Sequence, residues 1–203
     1  MNKNSIYIGT HNQEKYKKIC SLISLVNSDI TCVSLPLETS KAQERGSNEK
    51  ENALIKAEYY FKKVKHLVIA EDTGIYLDNI PKEVTLGCYV QRSMQKIRER
   101  YNGDSKKIQL HWNKLITDNN ITTGFLKHAF CIKTDKGIFT SLVKVDLGVV
   151  TSSSKEYDPF NLNSHLKPFG FDTTYQDISN KERKKYYQEY FLPKLKVLFK
   201  EIA

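Results

Sequence analysis

An α/β fold is predicted by two features of the sequence: short strand-like apolar runs, and segments between them whose apolar residues recur at helical spacing. His66 to Ala70 (His-Leu-Val-Ile-Ala) is the clearest run, suited to a strand buried on both faces. Tyr16, Ile19, Cys20 and Ile23 give the clearest helical periodicity. With 203 residues the chain is expected to form a single domain over its whole length, in one or two lobes, with a sizeable core.

Taken in order, Ser5 to Gly9 reads as a first strand, closed by the polar turn Thr10-His11-Asn12, and the Tyr16–Ile23 helix follows. Ile30 to Leu35 is a second strand, and a charged loop then runs through Glu44-Arg45-Gly46. Asn48 caps the next helix, Glu51 three residues later completes a capping box, and Ala53, Ala57, Tyr60, Phe61 and Val64 form its apolar face. The strand at 66–70 is expected to stop at Glu71-Asp72-Thr73-Gly74. Residues 92–117 read as mostly helical with a break near Asn102-Gly103. Phe125–Thr134 and Ile138–Val150 alternate as a long hairpin turning at Asp135-Lys136-Gly137. A loop containing Asp158-Pro159 and Pro168 leads to Phe169-Gly170-Phe171-Asp172, and the tail from Asn180 is a basic helix interrupted or kinked at Pro193.

Composition narrows the function classes. Hydrophobic residues at 39% and aromatics at 11% describe a globular chain, and no apolar run approaches the roughly 20 residues of a spanning helix. Residues 1–5 lead into the first strand without an apolar signal region, so the cytoplasm is the expected compartment and no membrane partner is expected. Cys20, Cys32, Cys88 and Cys131 form no CxxC pair and are expected as reduced thiols. The net charge of +9 invites an anionic partner, although Lys and Arg are spread along the chain and most such residues solvate the surface: a small polyanionic substrate is favoured, with nucleic acid as the other reading. No histidine has a metal partner at ligand spacing, and the Gly-x-Ser-x-Gly elbow of a serine nucleophile is absent.

Two places hold chemistry. Glu71-Asp72 follows an apolar strand, where two carboxylates suit a divalent ion that bridges phosphates, or else make a polar turn. Thr10, Asn12 and Lys15 follow another strand and open a helix, a site for phosphate without the glycines of a P-loop. Lys56 on the capped helix is a further phosphate contact or a solvated lysine.

Thr10-x-Asn12-x-x-Lys15, Glu44-x-Gly46, Glu51-Asn52-Ala53-x-x-Lys56-Ala57, Ala70-Glu71-Asp72-Thr73-Gly74, Gly87-x-Tyr89-x-x-Arg92 and Phe169-Gly170-Phe171-Asp172 occur in that order. In this the chain resembles the inosine triphosphate pyrophosphatase family, which cleaves non-standard purine nucleoside triphosphates to monophosphate and pyrophosphate. The resemblance spans the chain from Ile6 to the C-terminal helix. It implies an elongated two-lobed α/β domain with a central mixed sheet flanked by helices, a homodimer, a Mg2+ requirement and a cytoplasmic setting. By the same resemblance Asp72 handles the attacking water, Lys15 acts with it, and Glu44 and Glu71 hold the metal. Thr10, Asn12, Lys15 and Lys56 hold the triphosphate, and Thr73 and Gly74 shape the phosphate loop. Phe171 and Asp172 take the base, Arg183 stands where the family has a lysine, and Arg92 matches a motif arginine or makes a salt bridge.

The departures bear on specificity. The family's Asp-Asp-Ser-Gly is Glu71-Asp72-Thr73-Gly74 here, its Ser-His-Arg is Tyr187-Gln188-Glu189, and Thr173 replaces a proline. Phosphate chemistry is therefore expected to persist while base recognition is rewritten, on a non-standard or modified purine. The alternative is a nucleotide- or nucleic-acid-binding protein of the same fold without turnover.

Overall fold

The computed structural model describes residues 4–202. The elements are β1 (Ser5–Ile8), α1 (Gln13–Val26), β2 (Thr31–Ser34), α2 (Glu49–Val64), β3 (Val68–Leu77), α3 (Val90–Arg100), α4 (Ser105–Asp118), β4 (Thr123–Lys133), β5 (Ile138–Val149), β6 (Leu166–Pro168), α5 (Asn180–Tyr186), a π-helical turn (Tyr187–Phe191) and α6 (Leu192–Lys200). The six strands form one mixed sheet in the order β2-β1-β3-β4-β5-β6. β1 runs parallel to both β2 and β3, and β5 runs antiparallel to β6. The expected α/β class with a mixed sheet and flanking helices is therefore observed.

The chain divides into two compact units, one built from residues up to 73, 128–143 and from 184 onward, the other from 74–127 and 144–183. β3, β4 and β5 each contribute to both. In the first unit, Ile6, Ile8, Val68 and Ile69 of the strands and Ile19, Leu22 and Ile23 of α1 are buried. α2 meets the sheet through a seam of small side chains, Ala53 and Ala57 against Ala70, Ala129 and Cys131. In the second unit Trp112, Ile108 and Ile116 of α4 are buried, and the Asn113 amide donates to the Ser152 carbonyl at 2.8 Å. His165, also buried there, contacts the Val150 carbonyl through Nδ1 at 3.1 Å and the Tyr157 hydroxyl through Nε2 at 3.3 Å.

Local chemistry accounts for the element ends. The Asn48 side chain accepts from the Glu51 amide at 3.0 Å, and the Glu51 carboxylate accepts from the Ser47 amide at 2.7 Å, one residue earlier than the reciprocal bond of a standard capping box. The Ser47 bonds hold the Glu51 carboxyl below its usual pKa. Asn102 and Gly103, both at positive φ, separate α3 from α4. The hairpin closes with the Thr134 amide donating to the Gly137 carbonyl at 2.9 Å.

Three expectations need correction. The strand does not stop at Ala70: β3 continues through Glu71-Asp72-Thr73-Gly74 to Leu77, because ammonium groups neutralise the two carboxylates where they lie. The segment before Phe169 is not all loop, since Leu166–Pro168 pairs with β5 as a short terminal strand, a place that tolerates proline. The C-terminal helix is interrupted before Pro193, in the π turn at 187–191. Proline carries no N–H and crowds the carbonyl four residues back, and a widened turn ahead of it relieves both.

Gly124 sits where a side chain has no room, its ideal Cβ falling 2.4 Å from the Tyr76 carbonyl oxygen and 3.0 Å from the Leu77 side chain. Gly124→Ala is expected to destabilise the protein by about 1–3 kcal/mol, the usual cost of overpacking, read as a lower urea midpoint. An unchanged midpoint would mean that the strands separate freely there.

Candidate active site

β3 supplies the centre of the site. Consecutive strand residues point to opposite faces, so Glu71 and Asp72 reach different helices. Both are buried, at 1% and 5% exposure. On one face Glu71 Oε1 is bonded by the Lys18 ammonium of α1, by the Thr73 hydroxyl at 2.9 Å and by His128 Nδ1 of β4 at 2.9 Å. On the other, Asp72 Oδ1 accepts from Lys56 Nζ at 2.7 Å and Oδ2 from the Asn52 amide at 3.2 Å, both donors on α2. Lys15 Nζ lies between, 4.0 Å from Glu71 Oε2 and 3.9 Å from Asp72 Oδ1. Phe191 closes the Glu71 face, its ring 4.9 Å from that of His128 and 5.7 Å from the Lys18 ammonium.

Helical spacing sets these contacts. Lys15 and Lys18 are three apart on α1, and Asn52 and Lys56 four apart on α2, so each pair shares a face. Lys56 also meets Glu44 at 3.3 Å, which brings the loop before α2 to the site. Gly46 completes that loop: its amide donates to Asn52 Oδ1 at 2.8 Å, and an ideal Cβ on it would fall 2.7 Å from that oxygen. The Asn52 amide thus passes from Gly46 to Asp72 in a fixed orientation.

Charge pairing decides the protonation states. Burial alone would raise the Glu71 pKa, but Lys18, Lys15 and the His128 bond outweigh it and hold the carboxyl well below its usual range. Burial opposes the charge of Lys56 too, and Asp72 with Glu44 overcomes it, raising the pKa. Lys15 goes the other way, lowered first by burial and further by Lys56 and Lys18, against the attraction of Glu71 and Asp72. Burial, then Lys18, pushes the His128 pKa down to about 4. The facing carboxylate assigns the imidazole proton to Nδ1, leaving Nε2 a buried acceptor without a partner among the described residues.

A divalent ion fits one feature of this arrangement. Among the described residues, Glu71 Oε2 is a buried carboxylate oxygen that receives no hydrogen bond, while Oε1 takes all the donors. Mg2+ favours such oxygens, binding through one or two carboxylates and completing its shell with water and phosphate. Asp72 and Glu44 are the other acidic oxygens at hand. Among the described residues no three His, Cys, Asp or Glu side chains converge as an all-protein metal cage.

The predicted residues separate into groups. Lys15, Lys56, Glu44, Glu71, Asp72 and Thr73 come together as above. Thr10 and Asn12 build the start of α1: the Thr10 hydroxyl accepts from the Asn12 amide at 3.1 Å, and Asn12 Oδ1 accepts from the Glu14 and Lys15 amides at 2.9 and 3.0 Å. Those two amides are therefore already engaged. Gly74, Phe171, Asp172, Arg183 and Arg92 belong to the second unit. There Phe171 is buried at 6% exposure, Phe169 is open at 70%, Asp172 and Arg183 are exposed, and the Arg92 guanidinium stacks 5.1 Å from the Tyr89 ring. Sequence reasoning missed Lys18, Asn52, His128 and Phe191. The first two were readable from their spacing to Lys15 and Lys56, and His128 as a polar residue inside an apolar strand.

A model of the Ham1 family matches residues 6–189. The chain belongs to the Ham1 family. Among relatives of this Ham1-family chain, the dITP/XTP pyrophosphatase of Dictyoglomus thermophilum is 28% identical over 200 residues, covering 92% of the chain and 89% of the relative. That of Christiangramia forsetii is 26% identical over 192 residues, covering 89% and 90%. The structure of a HAM1 protein from Coxiella burnetii superposes with a TM-score of 0.68 at 14% identity, over 97% of this chain and 98% of the other. A nucleoside-triphosphatase, dITP/XTP pyrophosphatase, from Mycobacterium abscessus gives 0.62 at 18% identity, over 91% and 94%. These two likenesses establish the fold, and the family match establishes membership of the Ham1 family.

The buried imidazole makes stability depend on pH. Folded His128 takes its proton only near pH 4, whereas the unfolded chain takes it near 6.5, so the unfolded state binds more protons in between. Its stabilisation is complete above about pH 6.5 and is lost as the pH falls toward 4; His165, pushed down to about 4 by burial, acts in the same window. Urea midpoints should therefore fall from pH 7 to pH 5, and less so in His128→Asn. An identical fall in the variant would show that His128 charges freely in the folded protein.

Proposed function

We propose that this chain hydrolyses a purine nucleoside triphosphate to the monophosphate and pyrophosphate, with Mg2+ as its metal. The carrying observation is the pair of buried carboxylates, Glu71 and Asp72, interleaved with Lys15, Lys18 and Lys56. Such a site suits a substrate that brings its own negative charge together with a metal. Family membership supports the reaction class.

In this reading Lys15 and Lys56 receive phosphate oxygens, with Thr10, Asn12, Thr73 and Gly74 shaping the phosphate loop. A water oxygen attacks the α-phosphorus, and Asp72 accepts a proton from it. The bond from that phosphorus to the bridging oxygen breaks, its electron pair leaving with pyrophosphate. Asn52 and Lys56 hold the two Asp72 oxygens so that the carboxylate does not rotate away from the water. Mg2+, held by Glu71, Glu44 and the phosphates, would offset developing charge and lower the pKa of the water. The lysines offset charge in the same way, without a proton transfer.

For the base, Phe171, Asp172 and Arg183 are the proposed contacts, in a homodimeric cytoplasmic enzyme. Tyr187, Gln188 and Glu189 lie in the π turn, Tyr187 buried and the other two exposed, and they offer neither His nor Arg to a 6-oxo group. Inosine triphosphate is accordingly expected to be favoured over adenosine or guanosine triphosphate by less than about a hundredfold, nearly 3 kcal/mol. kcat/KM over the nucleotide panel measures this, and a larger preference would mean that another donor has taken over.

Asp72→Asn should lower kcat for pyrophosphate release by about a hundredfold or more while leaving nucleotide binding near normal. Near-normal turnover in that variant removes Asp72 from the reaction. Excess chelator should abolish release and added Mg2+ restore it; full activity in chelator would rule out the metal.

A further inference from the structure

Lys18 is given no phosphate contact above, yet it is the closest cation to Glu71. Its ammonium bonds Oε1, and its Nζ lies 3.4 Å from His128 Nδ1 with the Phe191 ring 5.7 Å away. Only about a fifth of the side chain is exposed, at 20%, against 70% for the neighbouring Lys17, which pairs with Glu14 on the surface. Lys18 is thus seated in the site.

The two oxygens of Glu71 are unequal. Lys18, Thr73 and His128 all converge on Oε1 and fix the carboxylate, while Oε2 is buried without a hydrogen bond among the described residues and has Lys15 at 4.0 Å. Any dication at Oε2 therefore arrives between two ammonium groups. Like charges at such spacing repel strongly where water is scarce. A triphosphate reverses the balance, because its oxygens draw Lys15 and its charge accompanies the metal.

We propose that Lys18 is a resident counter-ion of Glu71 that keeps free divalent metal out of the site when no nucleotide is bound, so that the metal enters only as its complex with the nucleotide triphosphate. The proposal rests on the pyrophosphatase reading of the same site, and it concerns metal binding before any chemistry. Lys18 acts through Glu71 and is a positioning residue. In the resting protein its ammonium does for Glu71 what the metal does in the loaded one.

Mn2+ binding to the nucleotide-free protein, followed by electron paramagnetic resonance of the unbound ion, tests this directly. The wild-type chain is expected to bind Mn2+ with a Kd weaker than about 1 mM. Lys18→Gln should tighten binding by about tenfold or more, and Lys18→Arg, which keeps the charge, should stay within about twofold of wild type. Equal Mn2+ affinity in the wild type and Lys18→Gln overturns the proposal. So does a wild-type Kd below about 50 μM, a result that needs no variant to fold. Pyrophosphate release measured in parallel separates the two readings. A chain that turns over no nucleotide but gains Mn2+ affinity in Lys18→Gln overturns the pyrophosphatase reading and upholds the counter-ion. Normal turnover with unchanged Mn2+ affinity does the reverse.

Discussion

Two adjacent carboxylates inside the middle of a sheet are tolerable only because ammonium groups meet them there. An unpaired buried carboxylate would shift its pKa and protonate, and the strand would lose the charge that its chemistry needs. Lys18 meets Glu71, Lys56 meets Asp72, and Lys15 stands near both. α1 and α2 are therefore held to β3 by charge as well as by apolar packing. The loop around Gly46 serves the same pairing, since the Gly46 amide fixes Asn52 and Glu44 meets Lys56. Buried ion pairs of this kind contribute little net stability over apolar residues of equal size, so stability alone does not account for their place here.

The two carboxylates are also wired differently. Asp72 has each oxygen assigned to one donor on a single helix, an arrangement that holds the group still. Glu71 has its bonds gathered on one oxygen, from a helix, a neighbouring strand and its own strand. One carboxylate is held through both oxygens, and the other has an oxygen that receives no hydrogen bond among the described residues. Two acidic residues next to each other in sequence thus acquire separate chemical characters from the alternation of the strand.

Much of this was legible in the sequence. The β1–α1–β2–α2 order, the Asn48 cap, the break at Asn102-Gly103 and the turn at Asp135-Lys136-Gly137 all rest on local rules, and local rules act within a few residues. Glu71, Asp72, Lys15 and Lys56 were nameable because they lie in short motifs. The extent of β3 was not, because acidic residues read as a strand end unless their partners are known, and those partners come from α1, α2 and β4. His128 was hidden for the same reason: its contact with Glu71 spans 57 positions of chain. The π turn escaped because proline announces a disturbance without saying on which side the helix will absorb it.

The alanine seam between α2 and the sheet carries a further implication. Methyl side chains at Ala53, Ala57, Ala70 and Ala129 let the helix approach the strands closely, and that approach is what allows a side chain as short as Asn52 to span the gap to Asp72. The seam works as a spacer, setting the distance over which the reactive groups are calibrated. A bulkier residue at Ala57 would keep every acid and lysine in the sequence and still shift α2, with Asn52 and Lys56, away from Asp72, so the geometry of this cluster depends on the thickness of its packing as well as on its acids and lysines.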